Sequence, residues 1–501
     1  MAIAHPTLAH ALREAWSHPE RAGRVALESA EETLTYAALA RRVQGFAGAL
    51  ASAGVRRGDR ILIAMERSPD AVIAILAAQF AGACPCPLEP LLSAVEIDRR
   101  IAATGLTHVV FDAAHAALAD ATTLPEGRRI RFRGDEADGA PSFDEGVGGA
   151  DPALLLFTSG STGHPKGVLL SHGNLLSNAA GVIAHTRLTP ADALLHVMPI
   201  YHTNGLNNQL FAPLLTGSRV VLAGRFRAEE MPALMARHRP TIVTGVPTMY
   251  SRILDLAFDP ESLRGLRFAR CGSAPITEEL HRRVEAKLGC PLVVSYGLSE
   301  ATCTSLMNPP ERRRIGTVGT VLAGQSVRIR DPRSGRDLET GSEGEVVIGG
   351  PSVMLGYLGA PEEADRAVRD GWVRTGDLGR FDADGYLTIT GRIKDVVIRG
   401  GENLSPGLFE SAIARAPGVR SVCVVGRPDA DLGEVPVACI VAERGAALDP
   451  RRVAEFVAAS LPHPYRLADV VLVESLPENA LGKIDRKRVA AMIAAAGERS
   501  P

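Results

Sequence analysis

The stretch Leu154-Leu155-Leu156-Phe157-Thr158-Ser159-Gly160-Ser161-Thr162-Gly163-His164-Pro165-Lys166-Gly167 decides how the chain is read. It opens on an apolar run too short to cross a membrane but suited to a buried strand, and that strand delivers a loop of Thr, Ser and Gly ending on a lysine. Glycines let a backbone approach an anion closely, hydroxyls and amide N–H groups donate to it, and the lysine adds a point charge. Such a loop suits phosphate, although read alone the same composition also suits a surface turn. It is not a Walker loop, because Lys166 stands between Pro165 and Gly167 rather than between Gly and Ser/Thr. Its glycine spacing fits neither a dinucleotide fingerprint nor a Gly-x-Ser-x-Gly nucleophile elbow.

Working outward, 501 residues exceed what one hydrophobic core usually organises, so two or more domains are expected. With 46% hydrophobic residues and a formal charge of −2, the chain reads as globular and soluble, without the basic surplus that nucleic acid demands. No apolar run reaches the ~18 to 20 residues of a membrane span. The start, Met1-Ala2-Ile3-Ala4-His5-Pro6, lacks the charged-then-apolar pattern of a signal peptide, so a cytoplasmic location is expected. Seven cysteines, an odd number spread over this length, make no disulfide framework, and Cys84-Pro85-Cys86 lacks metal-site spacing. They read as reduced structural thiols. The histidines show no His-x-x-x-His or comparable ligand cluster.

From Thr35 to Asp112 helical and strand patterns alternate. Leu39, Val43, Phe46 and Leu50 recur at helical spacing until Gly54, Arg60 to Met65 reads as a strand, and a second helix runs from about Ser68 to Gly82. Ser93-Ala94-Val95-Glu96 is a capping box for a third helix, and His108 to Phe111 is the next strand. This alternation implies a parallel sheet with helical crossovers. Residues 113–150 carry little periodicity and are expected to be irregular. Leu175 to Ala184 reads as a helix and Leu194 to Ile200 as a strand ending at Tyr201-His202-Thr203-Asn204-Gly205. Strand and helix alternate on through Val220 to Leu222, Met231 to Arg237 and Thr241 to Val246, and residues 331–350 suggest β-hairpins. After Arg392 the pattern restarts: strands at Val419 to Val425 and Val470 to Val473 with a helix from Pro450 to Leu461 make a compact α+β domain.

Three further segments share one theme with the phosphate loop. They are Ser295-Tyr296-Gly297-Leu298-Ser299-Glu300, then Trp372-Val373-Arg374-Thr375-Gly376-Asp377 running to Gly391-Arg392-Ile393-Lys394-Asp395, and Pro477-Glu478-Asn479-Ala480-Leu481-Gly482-Lys483-Ile484. In that order, over nearly the whole chain, they resemble the adenylate-forming superfamily of acyl-CoA synthetases, peptide-synthetase adenylation domains and luciferases. The resemblance implies an α/β fold: a large N-terminal domain (1–393) of parallel-rich sheets with helices and a β portion, and a small mobile α+β domain (394–501), hinged at Lys394.

It also implies the site. Thr158, Ser159, Gly160, Ser161, Thr162, Gly163 and Lys166 would hold the ATP phosphates. Cys271-Gly272-Ser273-Ala274-Pro275 resembles the segment lying against adenine, with Ser273 and Ala274 in contact, and Ser295, Tyr296, Gly297, Leu298 and Ser299 complete the nucleotide pocket. A tyrosine face can stack a base and a carboxylate can hold a metal beside phosphates, and the resemblance gives Tyr296 the adenine and Glu300, with Thr158, magnesium. Asp377 and Arg392 resemble the ribose contacts. The acyl substrate falls to His202, Asn207, Arg252, Gly272 and Gly297, where Arg252 resembles an arginine that malonate-activating relatives use for a distal carboxylate; arginine forks suit carboxylates. Lys483 resembles the catalytic lysine, grouped with Glu300, His202 and Lys166, and Gly400-Gly401 the loop along which coenzyme A enters. Leu408 departs from the pattern, standing where many relatives carry a glutamate. The expected function is an AMP-forming carboxylate–CoA ligase using ATP, magnesium and coenzyme A; the alternative is an adenylating enzyme that loads a partner carrier-protein thiol.

Overall fold

The computed structural model describes residues 7–89, 92–134, 140–159, 165–400, 402–461, 465–478 and 483–497. A nine-stranded sheet runs through the larger part of the chain. Its parallel centre is built, in spatial order, from Val25–Glu28, Arg219–Leu222, Ala193–His196, Ile242–Gly245, Phe268–Cys271 and Leu292–Tyr296, with antiparallel strands at both edges. These central strands are short runs rich in Val, Ile, Leu and Phe because helices cover both faces. After Ala193–His196 the chain places its next strand on one side and the following one, Ile242–Gly245, on the other. Such a reversal opens a crevice at the carboxyl ends of the strands.

A second, four-stranded parallel sheet orders Cys84–Pro87, Arg60–Ala64, His108–Phe111 and Arg129–Arg131. The helices expected around it are Tyr36–Ser52, Pro69–Phe80 and Ala94–Thr104, the last opened by the Ser93/Glu96 capping box. Residues 113–150 are less irregular than expected. They hold a turn of 3₁₀ helix at Ala113–His115, the helix Ala116–Asp120 and the edge strand Arg129–Arg131. Elements of three to five residues are too short for a period to show in the sequence. The strand Pro152–Ser159 pairs antiparallel with Pro165–Ser171, and Gly356–Leu358 adds a third strand.

The strand expected over Leu194 to Ile200 stops at His196, and Pro199 lies in the irregular segment that follows. The chain then winds Asn204–Phe211 as a π-helix, a rare form frequent at functional sites. Residues 326–392 form a five-stranded antiparallel sheet around Trp372–Phe381. From Val397 onward a separate sheet orders Glu402–Leu404, Val397–Arg399, Gly433–Ala442 and Val419–Asp429, with Asp469–Leu472 parallel to Gly433–Ala442. Phe409, Ile413, Val424, Ile440 and Val457 form the core on one face, and Cys423, Val437, Cys439 and Val489 that on the other. Leu408 is 39% exposed on the helix Pro406–Ile413, and Glu410 there anchors Arg486 at 2.7 Å, so the helix holds despite the departure. All seven cysteines are buried and none is in a disulfide. Among the described residues no helix is long and apolar enough to cross a membrane.

Candidate active site

The carboxyl ends of the central strands carry the sequence-predicted residues: His202 beyond Ala193–His196, Gly272 and Ser273 beyond Phe268–Cys271, and Tyr296 to Glu300 at the end of Leu292–Tyr296. Thr158 stands opposite Lys166 across the phosphate hairpin. Gly160, Ser161, Thr162 and Gly163 lie outside the described residues, as does the side chain of Ser159. The Lys166 ammonium pairs with Glu363 and lies 5.3 Å from the ring centre of Tyr357, whose hydroxyl donates to Glu300 Oε1. Burial lowers the Lys166 pKa, opposed by Glu300 and reinforced by Lys394. Neither Tyr357 nor Glu363 is marked by any motif, because their roles exist only through tertiary packing.

Glycines set the backbone spacing of the next segment. A Cβ on Gly297 would sit 1.8 Å from the Cys303 carbonyl oxygen, and one on Gly272 2.8 Å from Ser295 Oγ. Ser273 adopts φ +70°, a left-handed conformation unusual without glycine. Leu298 caps the single turn Ser299–Ala301 that presents Glu300, and Thr302 follows at φ 69°, ψ −53°, with the Cys303 N–H on the Ala301 carbonyl at 2.9 Å. That is a classical γ-turn, worth about 1–3 kcal/mol of strain. Fully buried Thr302 donates its hydroxyl to the Ser352 carbonyl at 2.7 Å and so holds the turn beside Glu300.

Asp377 and Arg392 are cross-strand partners. The Asp377 carboxylate accepts the Tyr296 hydroxyl on Oδ2 and Arg392 Nε on Oδ1, each at 2.6 Å. Thr375 fixes this strand by donating to the Val346 carbonyl at 2.6 Å and accepting the Asp377 N–H at 3.0 Å. Lys483, more than ninety residues further along, reaches the same cluster: burial lowers its pKa, Arg392 lowers it further and Asp377 raises it. Lys483 also acts on His202, whose pKa falls to about 4, chiefly by burial. The imidazole is therefore neutral near pH 7, and its Nε2 is enclosed without a partner. Its loop is held from beneath. Arg67 Nη2 donates to His196 Nδ1 at 2.6 Å, so the other nitrogen, Nε2, carries the proton that it gives to the Gly205 carbonyl at 2.7 Å. Asn207, fully buried, donates to Asn178 Oδ1 at 2.9 Å.

The family model described as "AMP-binding enzyme" matches residues 14–358, and "AMP-binding enzyme C-terminal domain" matches 408–483. The chain belongs to the AMP-binding enzyme family. The chain is 36% identical to a feruloyl-CoA synthase of Amycolatopsis sp, over 90% of this chain and 92% of the relative. It is 34% identical to a sulfoacetate–CoA ligase of Cupriavidus necator, over 91% and 92%. The solved structure of ATP-bound MatB from Rhodopseudomonas palustris superposes with a TM-score of 0.89 at 33% identity, covering 97% of this chain and 99% of that one. The adenylate-forming resemblance and its α/β fold are borne out. The relatives named are CoA ligases, which does not favour the carrier-protein alternative.

Not every expected residue of this AMP-binding enzyme meets at the cluster. Arg252, 49% exposed, places Nη2 2.8 Å from Glu478 Oε2, bridging to the C-terminal part of the chain. Arg283 makes a second such bridge to Glu443 at 3.0 Å. Lys394 is exposed in the turn joining Leu387–Arg392 to Val397–Arg399. Gly400 donates its N–H to the Leu432 carbonyl at 2.8 Å; Gly401 lies outside the described residues. Ala274 is half-buried in the turn after Ser273.

Proposed function

We infer that the protein is an AMP-forming carboxylate–CoA ligase that works in two half-reactions. In the first, the acid's carboxylate attacks the α-phosphorus of ATP, a P–O bond breaks and pyrophosphate leaves, giving an acyl-adenylate. In the second, the thiol of coenzyme A attacks the acyl carbon and AMP departs. The observation that supports this reading is that Lys483, from the C-terminal part of the chain, is coupled both to the hydrogen-bonded group of Asp377, Arg392 and Tyr296 and to His202.

Within it, Asp377 and Arg392 are suited to the ribose hydroxyls, and Tyr296, tied to Asp377, to the adenine edge. Lys483 is a cation able to neutralise charge as carboxylate and α-phosphate combine, and Lys166 with Thr158 can hold the triphosphate. Neutral His202 offers its unpartnered nitrogen to the acid without competing with it for charge. Glu300 suits magnesium. No cluster of three acidic, His or Cys ligands exists among the described residues, and one carboxylate shared with phosphates and water is how this small ion is usually held. It would supply charge neutralisation to the phosphates. A turn about Lys394 would then withdraw Lys483 and bring Gly400 and Gly401 to the site for coenzyme A.

The test is carboxylate-dependent pyrophosphate release across aliphatic, aromatic and dicarboxylic acids, followed by thioester detection with coenzyme A. Release that needs no acid, or an adenylate that coenzyme A does not discharge, would refute the reading.

A further inference from the structure

Arg270 is a charge in the middle of a core strand. Its neighbours Phe268, Ala269 and Cys271 are buried, and Arg270 itself is only 4% exposed. A buried guanidinium ordinarily meets a carboxylate. Among the described residues none reaches it: Nη2 donates to Thr304 Oγ1 at 2.8 Å, and Nε is enclosed with no partner. The other titratable groups coupled to it are Cys303 and Tyr250, both held neutral by burial, and His185, whose protonation burial and Arg270 both disfavour. Burial lowers the pKa of Arg270 only to about 10, so it keeps its charge at neutral pH.

Hydrogen bonds link the charge to the acyl end of the proposed site. Thr304 Oγ1 also accepts Asn208 Nδ2 at 3.0 Å, and that same nitrogen donates to Asn204 Oδ1 at 3.1 Å and to Cys303 Sγ. Asn204 and Asn208 belong to the π-helix that begins two residues after His202. On its other side, Arg270 precedes Gly272 by two residues, and the Tyr250 hydroxyl fixes its carbonyl at 2.7 Å. Ser305 Oγ and His202 Nε2 are further enclosed polar atoms without partners. Enclosed nitrogens without partners thus stand both at His202 and at Arg270. Arg252, by contrast, is exposed and already paired with Glu478.

We propose that Arg270 receives a second anionic group on the acid substrate, making the enzyme selective for carboxylic acids that carry a distal carboxylate or sulfonate. This rests on the adenylation reading above. An acid with a negative group at each end would be activated at the Lys483 end and supply the missing counter-charge at the other.

Pyrophosphate release should be compared within matched pairs: malonate with propanoate, succinate with butanoate, adipate with hexanoate, and sulfoacetate with butanoate. The best doubly charged acid should exceed its partner by about 10- to 100-fold in kcat/KM, the range for leaving a buried donor unpaired. Arg270→Met should erase or invert that ratio, and Arg270→Lys should retain part of it. Should the Met variant not fold, the ratio in the unsubstituted protein and in Arg270→Lys decides. Preference for neutral acids, ferulate and indoleacetate included, or a ratio unmoved in the variants, overturns the role of Arg270 and leaves adenylation standing. No release with any acid overturns both.

Discussion

His172 opens the helix His172–Thr186, is fully buried, and bonds through neither ring nitrogen. Burial, outweighing the attraction of Asp151, lowers its pKa from 6.5 to about 4. The unfolded chain therefore takes up a proton at a pH where the folded one does not. The neutral ring's contribution is fully present above pH 6.5 and is lost as pH falls toward about 4. Between pH 7 and pH 5 those two values give a loss of about 2 kcal/mol from this residue. His172→Phe removes the titration and both unpaired nitrogens, so it should be neutral or stabilising at pH 7. At pH 5 it should gain about 2 kcal/mol more over the parent. Urea unfolding of the large domain, followed at pH 7, 6 and 5 through the fluorescence of buried Trp16, measures this. His196 and His202 add acid sensitivity of the same sign to both proteins, so the difference isolates His172. His172→Leu should show the same flattened pH dependence if Phe overfills the space. Equal losses from pH 7 to pH 5 in parent and variants would refute the reasoning, since the ring would then be exchanging protons with solvent in the folded state.

Lys483→Ala should slow acid-dependent pyrophosphate release by about 10²- to 10⁴-fold. Thioester formation from pre-made acyl-adenylate and coenzyme A should stay near the parental rate; equal loss in both halves would show that Lys483 is not confined to adenylation. Asp377→Ala frees both the Tyr296 hydroxyl and Arg392, so the KM for ATP and the inhibition constant of AMP should rise together by about 10- to 100-fold. An unchanged KM would remove Asp377 from the nucleotide. Gly297→Ala forces a methyl against backbone at 1.8 Å and should lower stability by about 1–3 kcal/mol in urea unfolding, a result that a parental midpoint would contradict. Arg252→Ala breaks a half-exposed ion pair and should change stability by about 1 kcal/mol or less, with all acids affected alike. Loss confined to diacids would instead return Arg252 to substrate recognition.

Local signals carried much of the fold. Pro69–Phe80 is buried almost all round and shows little periodicity, yet Ser68 and Gly82 bound it in the sequence. Ser93 and Glu96 announce their helix by a reciprocal hydrogen-bond pattern that needs no tertiary partner. The π-helix Asn204–Phe211 has no such marker, because its extra residue per turn is imposed by packing. At the site, a motif could be read where one segment supplies several groups, as in Tyr296 to Glu300. Partners brought from elsewhere could not: Tyr357 on Glu300, Glu363 on Lys166, Glu478 on Arg252. Arg270 did leave a trace, a charge between Phe268-Ala269 and Cys271 where the strand pattern asks for an apolar residue.

The cations around the site are crowded. Lys394 disfavours the charge on Lys166, Arg392 that on Lys483, and Lys483 any proton on His202. Their mutual repulsion, offset in part by the Glu363 and Asp377 carboxylates, would be offset further by a polyanion lying among them. In the proposed reaction a triphosphate would offset that repulsion, and the monophosphate ester left after pyrophosphate departs would offset less of it. On the two half-reactions proposed above, departure of pyrophosphate would therefore favour the turn about Lys394 that the second one needs. Added salt, which screens the repulsion, should lengthen the interval between the two.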